Sequence, residues 1–433
     1  MKRAVLQLIL RTAARLVIAR YKPIIIGVSG SVGKTTAKEA ISAIIGGRLR
    51  VGKTIQNNNN EVGVPLTVLG VDGSERSLIK WFSIMARAVR LVFFKDKRYP
   101  EALVVEMAAD RPGDLAYLVK IASPQIGVVM AVGRAHLEFF KTMRALVQEK
   151  QTLISCLPAD GFALLNADDA EVIAMQNKTR ARTLTYGFGE KAMVRAVELS
   201  IGSEAVEEQC KLTGIYFKIV YKGSTVPVFL PGVLGRQHVY AALAGAAVGV
   251  GVGMNLVEVS ERMHYYDAPP GRMRIVEGIK HTMLIDDTYN SSPTAAVAAV
   301  ETLAVTPCAT RARKFAVLGD MLELGPHTEI EHRELGKKVA ELGIEYLYTV
   351  GERAKFVAQA AAFAGMKEDR ISVFADAESA GKALQEKIKP NDVILIKGSQ
   401  GMRMEKITRE LMAEPLHAEH LLCRQYGHWL DDY

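Results

Sequence analysis

Cysteine is scarce and scattered. The chain has four, Cys156, Cys210, Cys308 and Cys423, none within metal-ligand spacing of another and none in a Cys-x-x-Cys pair. That excludes a disulfide-stapled scaffold and a zinc ribbon, and it reads as free thiols in a reducing cytoplasm. Long apolar runs are also missing. Residues 239–254 carry no charge, but they are rich in Gly and Ala and short for a bilayer span, so they read as a buried helix. Arg11 and Arg15 interrupt the apolar N-terminus, and no clean small-residue cleavage site follows, which argues against a secretory signal. There is no low-complexity tract beyond the asparagines 57–60, and there are no internal repeats.

What is present is ordinary for a globular chain. Of 433 residues, 49% are apolar and 24% charged. The length suits two or three domains. Lys and Arg number 55 against 47 Asp and Glu, a surplus of +8. Spread over this length, that suits anionic substrates or lipid headgroups and does not by itself imply nucleic acid.

The pattern along the chain divides it. Residues 1–22 predict a basic, apolar-faced helix that Pro23 ends. From Ile24 a β-branched run opens an alternation of strands (103–106, 126–132, 162–165) and helical stretches. This predicts an α/β fold: a central, mostly parallel sheet domain over 23–268. Within it, 214–221 and 225–230 read as appended antiparallel strands. Pro269-Pro270-Gly271 reads as a boundary. Beyond it strands are predicted at 283–287, 315–318, 346–350, 371–374 and 393–396, a smaller Rossmann-like domain over 269–433.

Gly27-Val28-Ser29-Gly30-Ser31-Val32-Gly33-Lys34-Thr35-Thr36 follows the first strand and opens a helix. Glycines let backbone N–H groups approach phosphate oxygens, and a helix N-terminus favours negative charge. Gly30, Ser31, Gly33, Lys34, Thr35 and Thr36 are therefore expected to bind the phosphates of ATP, with Lys34 against the β- and γ-phosphates and the Thr35 hydroxyl on Mg²⁺. The strict Walker pattern has glycine where Val28 stands. The Asn-Lys-x-Asp element of GTPases and a helicase-type motif series are both absent.

Further segments name a family. Thr54-Ile55-Gln56-Asn57-Asn58-Asn59-Asn60 with Gly63 and Pro65, Glu106-Met107-Ala108-Ala109-Asp110-Arg111-Pro112-Gly113-Asp114, Gly133-Arg134-Ala135-His136-Leu137-Glu138 and Asn166-Ala167-Asp168-Asp169 lie in the first half. Asp286-Asp287-Thr288-Tyr289-Asn290 with Pro293, Gly319-Asp320 with Gly325, and Lys397-Gly398-Ser399-Gln400-Gly401-Met402-Arg403-Met404-Glu405 follow in the second. In this order over 24–412 they resemble the Mur ligases of peptidoglycan synthesis, most of all the members that add D-alanyl-D-alanine. The resemblance implies ATP-dependent amide ligation with Mg²⁺. A carboxylate of a UDP-N-acetylmuramoyl-tripeptide is phosphorylated, the dipeptide amine attacks the acyl phosphate, and ADP and phosphate leave.

The resemblance also distributes roles. Glu106, at a strand end beside the phosphate loop, is expected to hold the first Mg²⁺ with Thr35; otherwise it is a solvated strand-end acid. His136 and a carbamylated Lys150 would serve a second metal. Lys34, Glu106, His136 and Lys150 make the catalytic set. His238, Arg272, Asp287 and Tyr289 would contact ATP, the last three from across a closing interdomain cleft. Asn57, Asn60, Lys397 and Arg403 would face substrate, Arg403 as a fork for a carboxylate; Lys397 and Arg403 are otherwise solvated charges. Some features depart from the family. Only about two dozen residues precede the central domain, so the usual N-terminal UDP-sugar-binding domain is expected to be lacking, with a helper chain one replacement. Ala131 and Gln237-His238 with Ala241 stand where the family has asparagines, or His-Asn followed by Asn. Rival readings are a Mur-like ligase with another carrier or amino acid and a non-catalytic ATP-binding partner of a true ligase. No nucleic-acid partner is expected.

One segment lies outside these roles. Over 78–100, Lys80, Arg87, Arg90, Lys95, Lys97 and Arg98 interleave with Trp81, Phe82, Leu91, Phe93 and Phe94. With 1–22 it resembles a headgroup-facing membrane-surface patch; the alternative is two helices that pack together with solvated charges.

Overall fold

The computed structural model describes the chain apart from residues 1, 56–58, 72–77, 134–139, 207–208, 427–428 and 430–433. Asn57 and His136 therefore lie outside the described residues. By internal contacts the chain forms two units. One holds Met1–Glu198, Phe217–Val228 and Gln237–Asp267, and the other Leu199–Tyr216, Phe229–Arg236 and Ala268–Tyr433.

In the first unit α1 (Lys2–Tyr21) leads into β1 (Ile24–Ser29), α2 (Lys34–Ile45), β2 (Val51–Lys53), α3 (Gly63–Leu69) and α4 (Leu78–Phe93). There follow β3 (Ala102–Glu106), α5 (Asp114–Ile121), β4 (Ile126–Val129), α6 (Met143–Ser155), β5 (Phe162–Asn166) and β6 (Arg182–Gly187). The long strands β7 (Val194–Val206), β8 (Gln209–Tyr221) and β9 (Ser224–Pro231), each with residues in both units, come next, then α7 (Arg236–Gly251) and α8 (Leu256–Met263). The sheet order is β2-β3-β1-β4-β5-β6-β7-β8-β9. Pairing is parallel from β2 through β6 and on to the start of β7. Both faces of β1 are covered, so it carries Ile25, Ile26 and Val28 with no exposure and no polar alternation. The uncharged stretch expected to be a buried helix is α7, packed on almost all sides because Gly and Ala let neighbours approach closely.

The order places the switch point at β1. Its neighbours are β3 on one side and β4 on the other, in the registers Val28↔Glu106 and Ser29↔Val129. The carboxyl ends of all three strands reach one edge there, which is where α/β sheets bind ligands.

In the second unit β10 (Arg274–Gly278) pairs antiparallel with β11 (Thr282–Asp287). The rest of its sheet, order β10-β11-β15-β12-β13-β14, is parallel. Here β12 is Lys314–Gly319, β13 Tyr346–Val350, β14 Ile371–Phe374 and β15 Val393–Lys397. Helices α9 (Pro293–Val305), α10 (Thr328–Glu341), α11 (Lys355–Phe363), α12 (Ala377–Lys387) and α13 (Glu405–Leu411) connect or follow these strands. Two buried clusters result, one containing Ile285, Leu318 and Val339 and the other Leu284, Phe315 and Ile407. No helix among the described residues is long and apolar enough to cross a membrane.

Candidate active site

The loop 30–33 turns the chain from β1 into α2. Gly30 (φ +148°) and Gly33 (φ +82°) both take backbone angles that disfavour a side chain. At Gly30 a Cβ would meet Ala131 O and Met130 Cβ at 3.1 Å, so there is little room for one. The Ser31 N–H donates to Ala131 O at 2.7 Å and the Ser31 hydroxyl to Gly133 O at 3.2 Å, tying the loop to the segment after β4. The Lys34 ammonium is held on the loop itself, 2.9 Å from Gly30 O. Thr35 and Thr36 fill the first turn of α2, Thr36 buried and Thr35 half-buried. The expected phosphate-binding residues thus gather at the switch point.

Glu106 ends β3 at that edge and is buried. Its N–H donates to the Thr54 hydroxyl at 3.0 Å, and its Oε1 accepts from the Asn59 amide at 3.1 Å. Among the described residues its Oε2 is buried with no hydrogen-bond partner. Leaving one carboxylate oxygen so placed is unfavourable unless a ligand completes it. A solvated acid is therefore excluded, and the donor chemistry, a hard oxygen beside a threonine-bearing phosphate loop, fits Mg²⁺. Thr54 and Asn59 were not among the expected site residues. Their signal was available only as membership of the 54–60 motif. Asn60, which was expected to face substrate, turns its Oδ1 to the N–H groups of Val62 and Gly63 ahead of α3.

Lys150 lies on α6 with 1% exposure. It is not the solvated helix-surface lysine that sequence alone describes. Burial, and after it the Lys34 charge, lower its pKa to about 8, against Glu149, Asp110 and Asp114, which raise it. Its Nζ donates to Ala109 O at 3.4 Å, three residues past Glu106. The adjacent Glu149 is committed elsewhere, accepting the N–H groups of Gly113 and Leu115 at the start of α5. Among the described residues no group of three or more His, Cys, Asp or Glu side chains could hold a metal.

His238, expected at a nucleotide base, is fully buried in α7, with Nδ1 2.7 Å from the Tyr266 hydroxyl.

In the second unit Lys397 and Asp287 are buried together, Nζ to Oδ2 at 2.6 Å. Lys397 also donates to Asn290 O at 2.9 Å, and Asp287 Oδ1 accepts the Met273 N–H at 3.2 Å. Both groups hold the chain around β11. Arg403 is no solvated charge either. Its guanidinium donates to Glu405 Oε1 at 2.7 Å and to Trp429 O at 2.9 Å. The other oxygen of the fully buried Glu405 takes Arg424 at 2.7 Å. Arg424 further donates to Thr288 O and, at 2.6 Å, to Tyr289 O. This Arg403–Glu405–Arg424 cluster was not legible beforehand. Arg272 lies over the Tyr289 ring, 4.0 Å from its centroid. Asp286, next to Asp287, is fully buried and its pKa is raised to about 6 by burial, although Thr288 and Thr408 donate to it.

Comparison with known proteins extends this geometry. The Mur ligase middle domain matches residues 86–249, and the glutamate ligase domain of Mur ligases matches 271–400. The UDP-N-acetylmuramoyl-tripeptide--D-alanyl-D-alanine ligase of Mycobacterium tuberculosis is 32% identical over 410 residues, covering 90% of this chain and 73% of that protein. Its Bacillus subtilis counterpart is 29% identical over 392 residues, 90% of this chain and 76% of the other. The MurF ligase of Thermotoga maritima, solved in complex with ADP, superposes with a TM-score of 0.73 at 27% identity over 93% of this chain and 83% of its own. A phosphate loop at the switch point, an incomplete buried carboxylate beside it, and relatives that align through both units lead to one conclusion: this chain belongs to the Mur ligase family.

Proposed function

We propose that the chain is an ATP-dependent amide ligase that joins D-alanyl-D-alanine to a UDP-N-acetylmuramoyl-tripeptide, releasing ADP and phosphate. The observation that carries the site is Glu106 Oε2, buried without a partner among the described residues at the edge where the phosphate loop begins. The substrate pair follows from the names of the relatives that align over most of both chains.

The reaction brings anions together, and the loop is built to offset that. The N-terminus of α2 and the loop N–H groups other than that of Ser31 would face the phosphates, and Lys34, held on the loop, supplies a positive charge. Thr35 and Glu106 would hold Mg²⁺, and His136 and Lys150 a second ion; when bound, the metal neutralises charge on the transferring phosphoryl group. Asn59 holds one oxygen of the Glu106 carboxylate and Thr54 anchors the Glu106 backbone N–H, which leaves Oε2 for the site. Lys150 is poised for the carbamate that the resemblance implies, because carbon dioxide adds to a neutral amine and burial favours that form. The γ-phosphoryl passes to the substrate carboxylate and ADP is released; the dipeptide amine then attacks the acyl carbon, the acyl C–O bond breaks with its electron pair going to phosphate, and the amine proton passes to the departing phosphate or to solvent. In the second unit Arg272 and Tyr289 are the nucleotide contacts we propose; Lys397, Asp287 and Arg403 position the segments beside them.

Glu106→Gln tests this directly. It keeps the shape and the Asn59 contact but removes the charge. Turnover should fall on the order of a hundredfold or more while nucleotide still binds. Wild-type turnover in this variant would remove Glu106 from the metal site.

A further inference from the structure

The first unit leaves a second apolar surface that its core does not use. Helix α1 packs Leu10, Ala14 and Val17 inward with no exposure, and α4 packs Ile84, Ala88 and Leu91. That would complete the burial of an ordinary amphipathic helix. Each helix nevertheless carries another apolar stripe on its solvent side. On α1 it is Val5, Leu8, Ile9 and Leu16; Leu8 is 62% exposed. On α4 it is Phe82, Val89 and Phe93, continued by Phe94, with Phe82 77% and both Phe93 and Phe94 69% exposed. The spacings, three, four and seven residues, place each set on one helix face.

The two stripes meet at one end. Arg20 donates to Phe93 O at 3.4 Å, and the Tyr21 hydroxyl to Phe94 O at 3.1 Å. Exposed basic side chains border them: Arg15 and Arg20 on α1, Arg90 on α4, and Lys95, Lys97 and Arg98 just beyond. Neither helix contains a single Asp or Glu.

We infer that α1 and α4 form an interfacial docking surface for an anionic lipid bilayer. The charge decides for lipid over a protein partner or a second copy. An apolar stripe edged mainly by cations, with the half-buried Asp96 turned to the Arg98 N–H, complements a hydrocarbon boundary under anionic headgroups, and arginine and lysine stems reach from one to the other. A second copy would bring like charge against like. Polar groups that could fix a protein partner's register are few, and on α1 the Thr12 hydroxyl is turned back to Leu8 O. The surface lies on the membrane and does not cross it, since no helix among the described residues could. The inference is independent of the ligase reading.

Co-sedimentation of the full chain with phosphatidylcholine vesicles, with and without phosphatidylglycerol, tests it. Binding is expected with phosphatidylglycerol only, weakening as salt rises. Replacing Arg15, Arg90 and Lys97 by Ala should reduce partitioning on the order of a hundredfold, at about fivefold per charge. Phe93→Ser with Phe94→Ser should reduce it roughly tenfold or more, with an unchanged melting temperature because both rings are exposed. The inference is overturned if the wild type ignores anionic vesicles at low salt, or if the phenylalanine variant binds as well as wild type. It is equally overturned if the phenylalanines hold a dimer that does not bind vesicles.

Discussion

Lys150 offers the sharpest quantitative test of the site. Its pKa falls from 10.5 to about 8 on burial. At pH 7 roughly one such lysine in ten is neutral, against about one in three thousand for a solvated lysine, a gain of about three hundredfold in the form that adds carbon dioxide. Activity in degassed buffer should therefore rise with added bicarbonate and saturate, and Lys150→Met should be inactive and indifferent to bicarbonate. Stability should move the other way. A lowered lysine pKa means the folded state holds the proton less tightly than the unfolded state. The penalty is full below about pH 8 and fades as pH rises toward 10.5. Some 2.5 pKa units correspond to about 3 kcal/mol, so Lys150→Met should be stabilised by up to about that amount at pH 7 in degassed buffer and gain nothing near pH 10.5. Denaturant titrations at the two pH values measure this. A destabilised Lys150→Met at pH 7, or bicarbonate-independent turnover in that variant, would refute the reasoning.

Other perturbations have definite signs. Gly30→Ala places a Cβ 3.1 Å from Ala131 O at φ +148°, and should abolish ATP binding in a calorimetric titration while costing about 1–3 kcal/mol in stability. Asp286→Asn should stabilise at pH 7 by about 1–3 kcal/mol. The raised carboxyl pKa makes the penalty full above about pH 6 and absent below about 3.8, so the gain should vanish in unfolding curves at pH 4 and below. Arg424→Ala leaves the buried Glu405 with Arg403 alone and should destabilise by about 3 kcal/mol or more in chemical denaturation.

Much of this was legible in sequence because it is local. The β-branched run at Ile24, the glycines at 30 and 33 and the helix from Lys34 form one continuous signal, and the structure has all three in place. The apolar runs of β3, β4, β5 and β11 to β15 were equally plain, since parallel strands are apolar on both faces, whereas β6, β7 and β10 were not expected. What escaped is pairing across distance. His238 reads as available because it follows a glycine turn; Tyr266, 28 residues on, makes it a core group. Lys397 and Asp287 look like two ligand contacts until their 110-residue separation closes to an ion pair. Glu106 was visible as a strand-end acid, but the oxygen left without a partner among the described residues depends on Asn59 taking the other one, with Thr54 anchoring the backbone N–H. The basic helices were read as a choice between packing and a membrane face. Each has a separate stripe for either purpose, which a single periodicity does not separate.

The most direct test of the central claim is product formation by the purified chain with ATP, Mg²⁺, D-alanyl-D-alanine and UDP-N-acetylmuramoyl-tripeptide, read by mass spectrometry beside an ADP assay. The account predicts an amide product heavier than the tripeptide carrier by the dipeptide less one water, with one ADP formed per amide and none without the carrier. ADP release without that product, or no turnover in spite of nucleotide binding, would contradict it.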